Sequence, residues 1–155
     1  KNKKWIKDQK IRVYVCITGD LFHVGHLSFF QKAKSFGTNL IVGICSDEDV
    51  ENYKRAPILP LKHRAAVISS CSLVDDIILA APPSTDKAFM VKNNIDLVVA
   101  SNDYCEATLK KFYSYPLSIG VLKLVDYMEG LSTTDIILKC HARVTENNGD
   151  IGTLF

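Results

Sequence analysis

The stretch IRVYVCITGDLFHVGHLSFFQKAKSFG (Ile11–Gly37) decides the fold. Its first seven residues, Ile11–Ile17, are apolar and rich in β-branched side chains, and they read as a buried strand. Leu27, Phe30, Ala33 and Lys34 then recur at helical spacing, and Gly37 is a residue that ends helices. The turn between holds Gly19, Asp20, His23, Gly25 and His26. A strand entering a helix through a turn with two histidines and a glycine is the first half of a βαβ unit with a site at its junction.

The alternation continues outward. Strands are predicted over Asn39–Ser46, Val74–Pro82, Ile95–Ser101 and Gly120–Asp126. Helices are predicted over Leu61–Ser72, over Ser84–Asn94 with Ser84 or Thr85 as its cap, within Cys105–Pro116 ending before the proline, and over Ser132–Val144. The polar segment 47–60, broken by Pro57 and Pro60, is predicted as a loop. Five strands alternating with helices predict a doubly wound, parallel, five-stranded α/β sheet of Rossmann-like type. Residues 11–146 form the predicted catalytic domain, behind a basic N-terminal extension (1–10) and before a C-terminal tail (147–155). Ligands of such sheets sit beyond the carboxyl ends of the strands. That directs attention to Thr18–His26, Asp47–Arg55, Ala81–Thr85, Ser101–Tyr104 and Tyr127–Thr134.

Bulk properties narrow the class. The chain has 155 residues, 47% apolar and 23% charged, with 19 basic and 17 acidic side chains for a net charge of +2. Such balance gives no argument for nucleic acid. No apolar run approaches the ~18 residues of a membrane span. Five cysteines, odd in number, scattered and without a C-x-x-C pair, predict reduced thiols in a cytoplasmic setting rather than disulfides or a zinc site.

The histidine pair has a physical reading. A helix N-terminus presents unpaired N–H groups and partial positive charge, so it attracts phosphate. Gly25 admits close approach of a ligand to the backbone. Two imidazoles can donate to phosphate oxygens and stabilise charge growing on a departing pyrophosphate. An isolated histidine at such a place is ordinarily a cap or a packing residue. Two of them on the ligand-binding edge of the first strand favour the functional reading.

HVGH (His23–His26) resembles the H-x-G-H signature of the nucleotidyltransferase superfamily. YKRAPILPLKHR (Tyr53–Arg64) resembles the lysine loop and next helix start of its cytidylyltransferases. EGLSTTDII (Glu129–Ile137) resembles their more specific E-G-[IVL]-S-T segment, and SNDY (Ser101–Tyr104) stands where G-D-D-W is common. The motifs occur in family order from Arg12 to Leu138. They resemble the group acting on choline phosphate, ethanolamine phosphate, glycerol 3-phosphate and 2-aminoethylphosphonate.

The resemblance implies transfer of CMP from CTP to a small phosphorylated or phosphonate acceptor, with release of pyrophosphate. It implies catalytic roles for His23, His26 and Lys54. It implies CTP contacts from Thr18, Gly19, Arg64, Ser101, Tyr127, Gly130, Leu131, Ser132, Thr133 and Thr134. Lys54, Asp20, Asn102, Asp103 and Tyr104 are implied on the acceptor side, with Asp20 expected to orient the turn. Mg²⁺ is implied as a companion of the CTP phosphates, with no protein ligand assigned, and the chain is implied to be a homodimer. Three departures bear on substrate choice. ITGD (Ile17–Asp20) replaces G-x-F-D, Tyr127 replaces the arginine of R-T-E-G, and Pro83 stands where choline enzymes often carry an aromatic residue. They leave the acceptor open.

Overall fold

The computed structural model describes residues 10–128 and 130–146. Apart from Lys10, the expected N-terminal extension lies outside them, as does the expected C-terminal tail. The elements are β1 (Arg12–Ile17), α1 (Val24–Lys34), β2 (Asn39–Ile44), α2 (Asp47–Glu51), α3 (Leu61–Ser69), β3 (Asp76–Leu79), α4 (Lys87–Lys92), β4 (Leu97–Ser101), α5 (Glu106–Ser118), β5 (Leu122–Val125) and α6 (Thr133–Glu146). The strands form one parallel sheet in the order β3-β2-β1-β4-β5. This is the expected doubly wound Rossmann-like sheet.

Alternation along the strands builds two cores. Val13 and Val15 of β1 face one side, with Leu40, Val42 and Ile44 of β2, and pack on Phe29, Phe30 and Ala33 of α1 and Ala65 and Ile68 of α3. Tyr14, Ile41, Val98 and Ala100 face the other side, against Met90 of α4 and Tyr113 of α5. Helices therefore cover both faces, which is why the central strands are apolar almost throughout.

Three local expectations need correction. The predicted loop contains a helical turn, α2, because Ser46 caps it by accepting from the Asp49 N–H at 3.0 Å. Asp86, rather than Ser84 or Thr85, caps α4, its carboxylate accepting from Phe89 N–H at 2.8 Å. And α5 does not stop before Pro116: it kinks at Tyr113 (φ −129°, ψ 24°) and runs on to Ser118. Proline has no N–H to offer the carbonyl four residues back. That carbonyl, Phe112 O, instead accepts from Thr85 N–H at 2.8 Å, so the kink is stitched to the segment before α4.

Arg64 ties the carboxyl ends of the strands to the loops that follow. Its side chain is 0% exposed, and its guanidinium donates to Leu59 O (3.0 Å), Thr18 O and Cys45 O (2.9 Å) while pairing with Asp47 (2.5 Å). Removing it strands three carbonyls, and loss of one buried partner of this kind typically costs about 3–5 kcal/mol. Arg64→Leu should therefore lower the free energy of unfolding, read from urea titration of the ligand-free protein, by about that amount. A loss under about 1 kcal/mol would show that these strand ends are held by other contacts.

Candidate active site

β1 stays in register with β2 as far as Ile17–Ile44, but pairs with β4 only at Val13–Leu97 and Tyr14–Val98. Beyond Tyr14, β1 and β4 part. Here the winding of the sheet reverses, the position where such sheets bind ligands. A cavity of about 720 Å³ opens in the gap, with Cys16 and Ile17 of β1 and Ala100 and Ser101 of β4 on its walls. The Ser101 hydroxyl is buried and has no hydrogen-bond partner among the described residues, so it is a polar group awaiting one from the cavity.

Thr18, Gly19, Asp20 and His26 line one end. Gly19 has φ +70°, and a Cβ there would stand 2.5 Å from Ile68 Cδ1, so the tight turn needs glycine. At Gly25 a Cβ would meet the His23 ring at 2.8 Å and the Tyr127 hydroxyl at 3.0 Å. The glycine is what lets these groups crowd the start of α1.

The histidines hold each other in place. His23 caps α1, its Nδ1 accepting from Gly25 N–H at 3.1 Å, while His26 Nδ1 accepts from His23 N–H at 3.2 Å. Their ring centroids are 4.1 Å apart. An Nδ1 that accepts belongs to the tautomer carrying its proton on Nε2. Each ring thus keeps an Nε2–H donor, and that of His23 is buried without a partner among the described residues. Burial, then the charges of His23 and Lys54, push the His26 pKa down to about 4, and burial also lowers that of His23. Near neutral pH both rings are neutral donors.

Asp20 is 5% exposed and does not face a ligand freely. Its carboxylate accepts from Ile58 N–H (2.8 Å) and Leu59 N–H (2.9 Å), and its carbonyl accepts from the Thr133 hydroxyl (2.9 Å). One residue therefore fastens the lysine loop and the start of α6 to the β1 turn. Lys54, in that loop, is exposed at the cavity with its Nζ 5.6 Å from the Tyr53 ring centroid, and loss of hydration there lowers its pKa.

Ser132, Thr133 and Thr134 complete this end. Ser132 is also a cap: its Oγ accepts from Asp135 N–H (3.1 Å), and the Asp135 carboxylate accepts from Ser132 N–H (2.7 Å). Tyr127 lines the cavity and packs near Phe29. At the other end stand Tyr53, Pro83, Asp103, Tyr104, Thr108, Lys111, Phe112 and Tyr113. Tyr104 stacks with Tyr113 (centroids 6.3 Å apart), Tyr53 tilts against Phe112 (6.3 Å), and Lys111 lies 5.1 Å from the Phe112 centroid.

Several expected contacts fall elsewhere. Arg64, expected on CTP, has its donors spent on the backbone and Asp47. Asn102 binds Asp126 and lines a separate small cavity with Asp103, Asp126, Tyr127 and Met128. His23, Gly130 and Leu131 are not on the main cavity wall; His23 stands behind His26, and Gly130 serves the chain reversal before α6 with φ +83°. The residues that sequence reasoning missed are the aromatic wall of α5, Tyr53, and the thiols Cys16 and Cys45. Among the described residues no three His, Cys, Asp or Glu side chains converge.

Residues 18–139 match the family model described as cytidylyltransferase-like. The chain belongs to this family. It is 32% identical over 135 residues to choline-phosphate cytidylyltransferase A of Rattus norvegicus, an alignment covering 85% of the chain and 37% of that protein. With ethanolamine-phosphate cytidylyltransferase of Dictyostelium discoideum the identity is 35% over 124 residues, 76% of the chain and 34% of the relative. The chain thus spans about a third of the length of these two. FAD synthase of Pyrococcus abyssi is 33% identical over 144 residues, covering 90% of the chain and 95% of that protein. A lipopolysaccharide core biosynthesis protein from Thermoplasma volcanium shares the fold with a TM-score of 0.62 and 25% identity, covering 79% of this chain and 100% of that one. Among the described residues no helix is long and apolar enough to cross a membrane.

The histidine pair of this cytidylyltransferase-like site has a thermodynamic signature. With His26 at 6.5 when unfolded and about 4 when folded, the unfolded chain binds a proton in that window that the native chain does not. Stability contributed by neutral His26 is complete above pH 6.5 and is lost as pH falls toward 4, on the order of 3 kcal/mol in all. Urea unfolding between pH 4 and 7 should show this slope, and His26→Gln should flatten it. An unchanged slope in the variant would assign the effect to other groups.

Proposed function

We propose that the chain transfers CMP from CTP to a small phosphorylated amino alcohol, ethanolamine phosphate or choline phosphate, or to 2-aminoethylphosphonate, releasing pyrophosphate. One observation carries the reading: the neutral His26 imidazole lines a cavity with Lys54, and His23, at the helix N-terminus, holds its ring 4.1 Å behind it. An acceptor oxygen attacks the α-phosphorus while pyrophosphate departs, with no covalent enzyme intermediate. Catalysis is then positioning plus stabilisation of charge on the phosphates. The Nε2–H groups donate to nucleotide phosphate oxygens as charge grows there. The Lys54 ammonium lies between the two anions that must approach. The start of α6 offers N–H and hydroxyl donors to the outer phosphates. When bound, Mg²⁺ neutralises part of the triphosphate charge.

Glycerol 3-phosphate is the neighbouring acceptor choice within the same chemistry. A second reading, adenylyl transfer to a flavin phosphate, is favoured by the near-complete length match to FAD synthase. The deciding experiment follows pyrophosphate release with CTP, ATP, GTP and UTP against choline phosphate, ethanolamine phosphate, glycerol 3-phosphate, 2-aminoethylphosphonate and FMN. CTP with an amino-alcohol phosphate or the phosphonate is the expected pair. Consumption of ATP alone overturns the cytidylyl reading. Nucleotide binding without turnover on any acceptor makes the chain a binding module. The proposal also includes a homodimer, which sedimentation at micromolar concentration should show and a monomer would exclude.

Lys54→Ala should lower kcat/KM by ~10²–10³-fold, the usual cost of one charge-stabilising donor. Its exposed side chain adds little packing, so ligand-free stability should move by no more than about 0.5 kcal/mol. Arg55→Ala is the control and should lose less. Near-normal kcat/KM in Lys54→Ala would move the role to Arg55.

A further inference from the structure

Cys16 and Cys45 are 29 positions apart, yet their Sγ atoms lie 3.5 Å apart. The parallel register explains the meeting. Cys16 sits opposite Gly43, and Cys45 lies two residues beyond Gly43, on the same face. Both thiols line the cavity, and the proposed transfer uses neither. Cys45 also sits at a mechanical junction. Its N–H donates to Ile17 O (3.0 Å) and its carbonyl accepts from Arg64 (2.9 Å). The hydrogen bond from Cys16 lowers the Cys45 pKa, and Tyr53, the neighbour of Lys54, adds to the effect; the same bond and burial raise that of Cys16. The two sulfurs share one hydrogen bond, which either thiol can donate.

We propose that Cys16 and Cys45 are a redox modification site, oxidised by a peroxide to an intramolecular disulfide that lowers turnover in the adjoining cavity. In the first step the Cys45 thiolate attacks one oxygen of hydrogen peroxide. The O–O bond breaks, the departing hydroxide takes a proton to become water, and Cys45 becomes a sulfenic acid. In the second step the Cys16 sulfur, losing its proton, attacks the Cys45 sulfur and expels the hydroxyl, which leaves as a second water. Two thiols and one peroxide give one disulfide and two waters. Peroxide is small enough to enter the cavity that both thiols line. Closure brings the sulfurs from 3.5 Å to about 2.0 Å. That draws Cys45 along with the carbonyl held by Arg64 and the contact with Tyr53, at the root of the lysine loop.

The test uses the full chain with the exposed thiols removed, Cys105→Ser and Cys140→Ser. The protein is treated with hydrogen peroxide, digested and mapped by mass spectrometry, with and without later reduction by dithiothreitol. The expected product is a linked pair of peptides carrying Cys16 and Cys45, lighter by two hydrogens, with Cys71 unlinked. Adding Cys16→Ser should leave a trappable sulfenic acid on Cys45, and adding Cys45→Ser should leave no link. In the same samples the ratio of oxidised to reduced kcat/KM should fall by ~10²-fold, the scale of a misplacement near 1 Å, and return on reduction. Both serine variants should keep a ratio near one. Unlinked Cys16 and Cys45 after peroxide treatment overturn the site. A complete link with an unchanged ratio overturns its effect on turnover. The mapping needs no substrate, so it stands or falls apart from the transfer reading.

Discussion

The buried guanidinium of Arg64 is the interaction on which the site's architecture rests. Three backbone carbonyls, from the turn after β1, the end of β2 and the loop before α3, converge on it, and Asp47 balances its charge. Arginine suits this place because its planar fork serves several acceptors at fixed angles and keeps its charge when buried. Carbonyls at strand ends lack ladder partners, and burying them unpaired would be costly. The guanidinium satisfies them and, in doing so, sets the spacing between the histidine turn and the lysine loop.

Around that tie the cavity divides its chemistry. The end nearest α1 and α6 is built of neutral hydrogen-bond donors: the His26 imidazole, with His23 stacked behind it, and the hydroxyls of Ser132, Thr133 and Thr134. The far end is built of aromatic faces, with Lys111 over the Phe112 ring. The donor end suits oxygen-rich phosphate, and the aromatic end suits a larger or less polar group. Burial makes this division work, since an uncharged imidazole donates without adding a competing cation beside the lysine.

Much of this was legible in the chain. The apolar runs of β1, β2 and β4 and the periodicity of α1 fix a parallel sheet, because strands buried on both faces read as continuous rather than alternating. The H-x-G-H and S-T-T segments announce two helix starts at one sheet edge. Other features had no local signal. Nothing in LKHRAAV distinguishes an arginine facing a ligand from one turned inward to carbonyls; that depends on where the ends of β1 and β2 stand. Cys16 and Cys45 looked scattered because only the strand register joins them. The continuation of α5 past Pro116 depends on a partner, Thr85, supplied from outside the helix. Asn102 turned to Asp126 because two strand ends, β4 and β5, put them side by side.

Asp20 carries a consequence for affinity. Its carboxylate and carbonyl hold Ile58, Leu59 and Thr133, so the segment around Lys54 and the head of α6 are ordered before any substrate arrives. Fixing backbone costs about 1–2 kcal/mol of conformational entropy per residue. Here that loss falls on folding rather than on association, and substrates meet donors already in place. The specificity of such a site resides in fit to a standing shape.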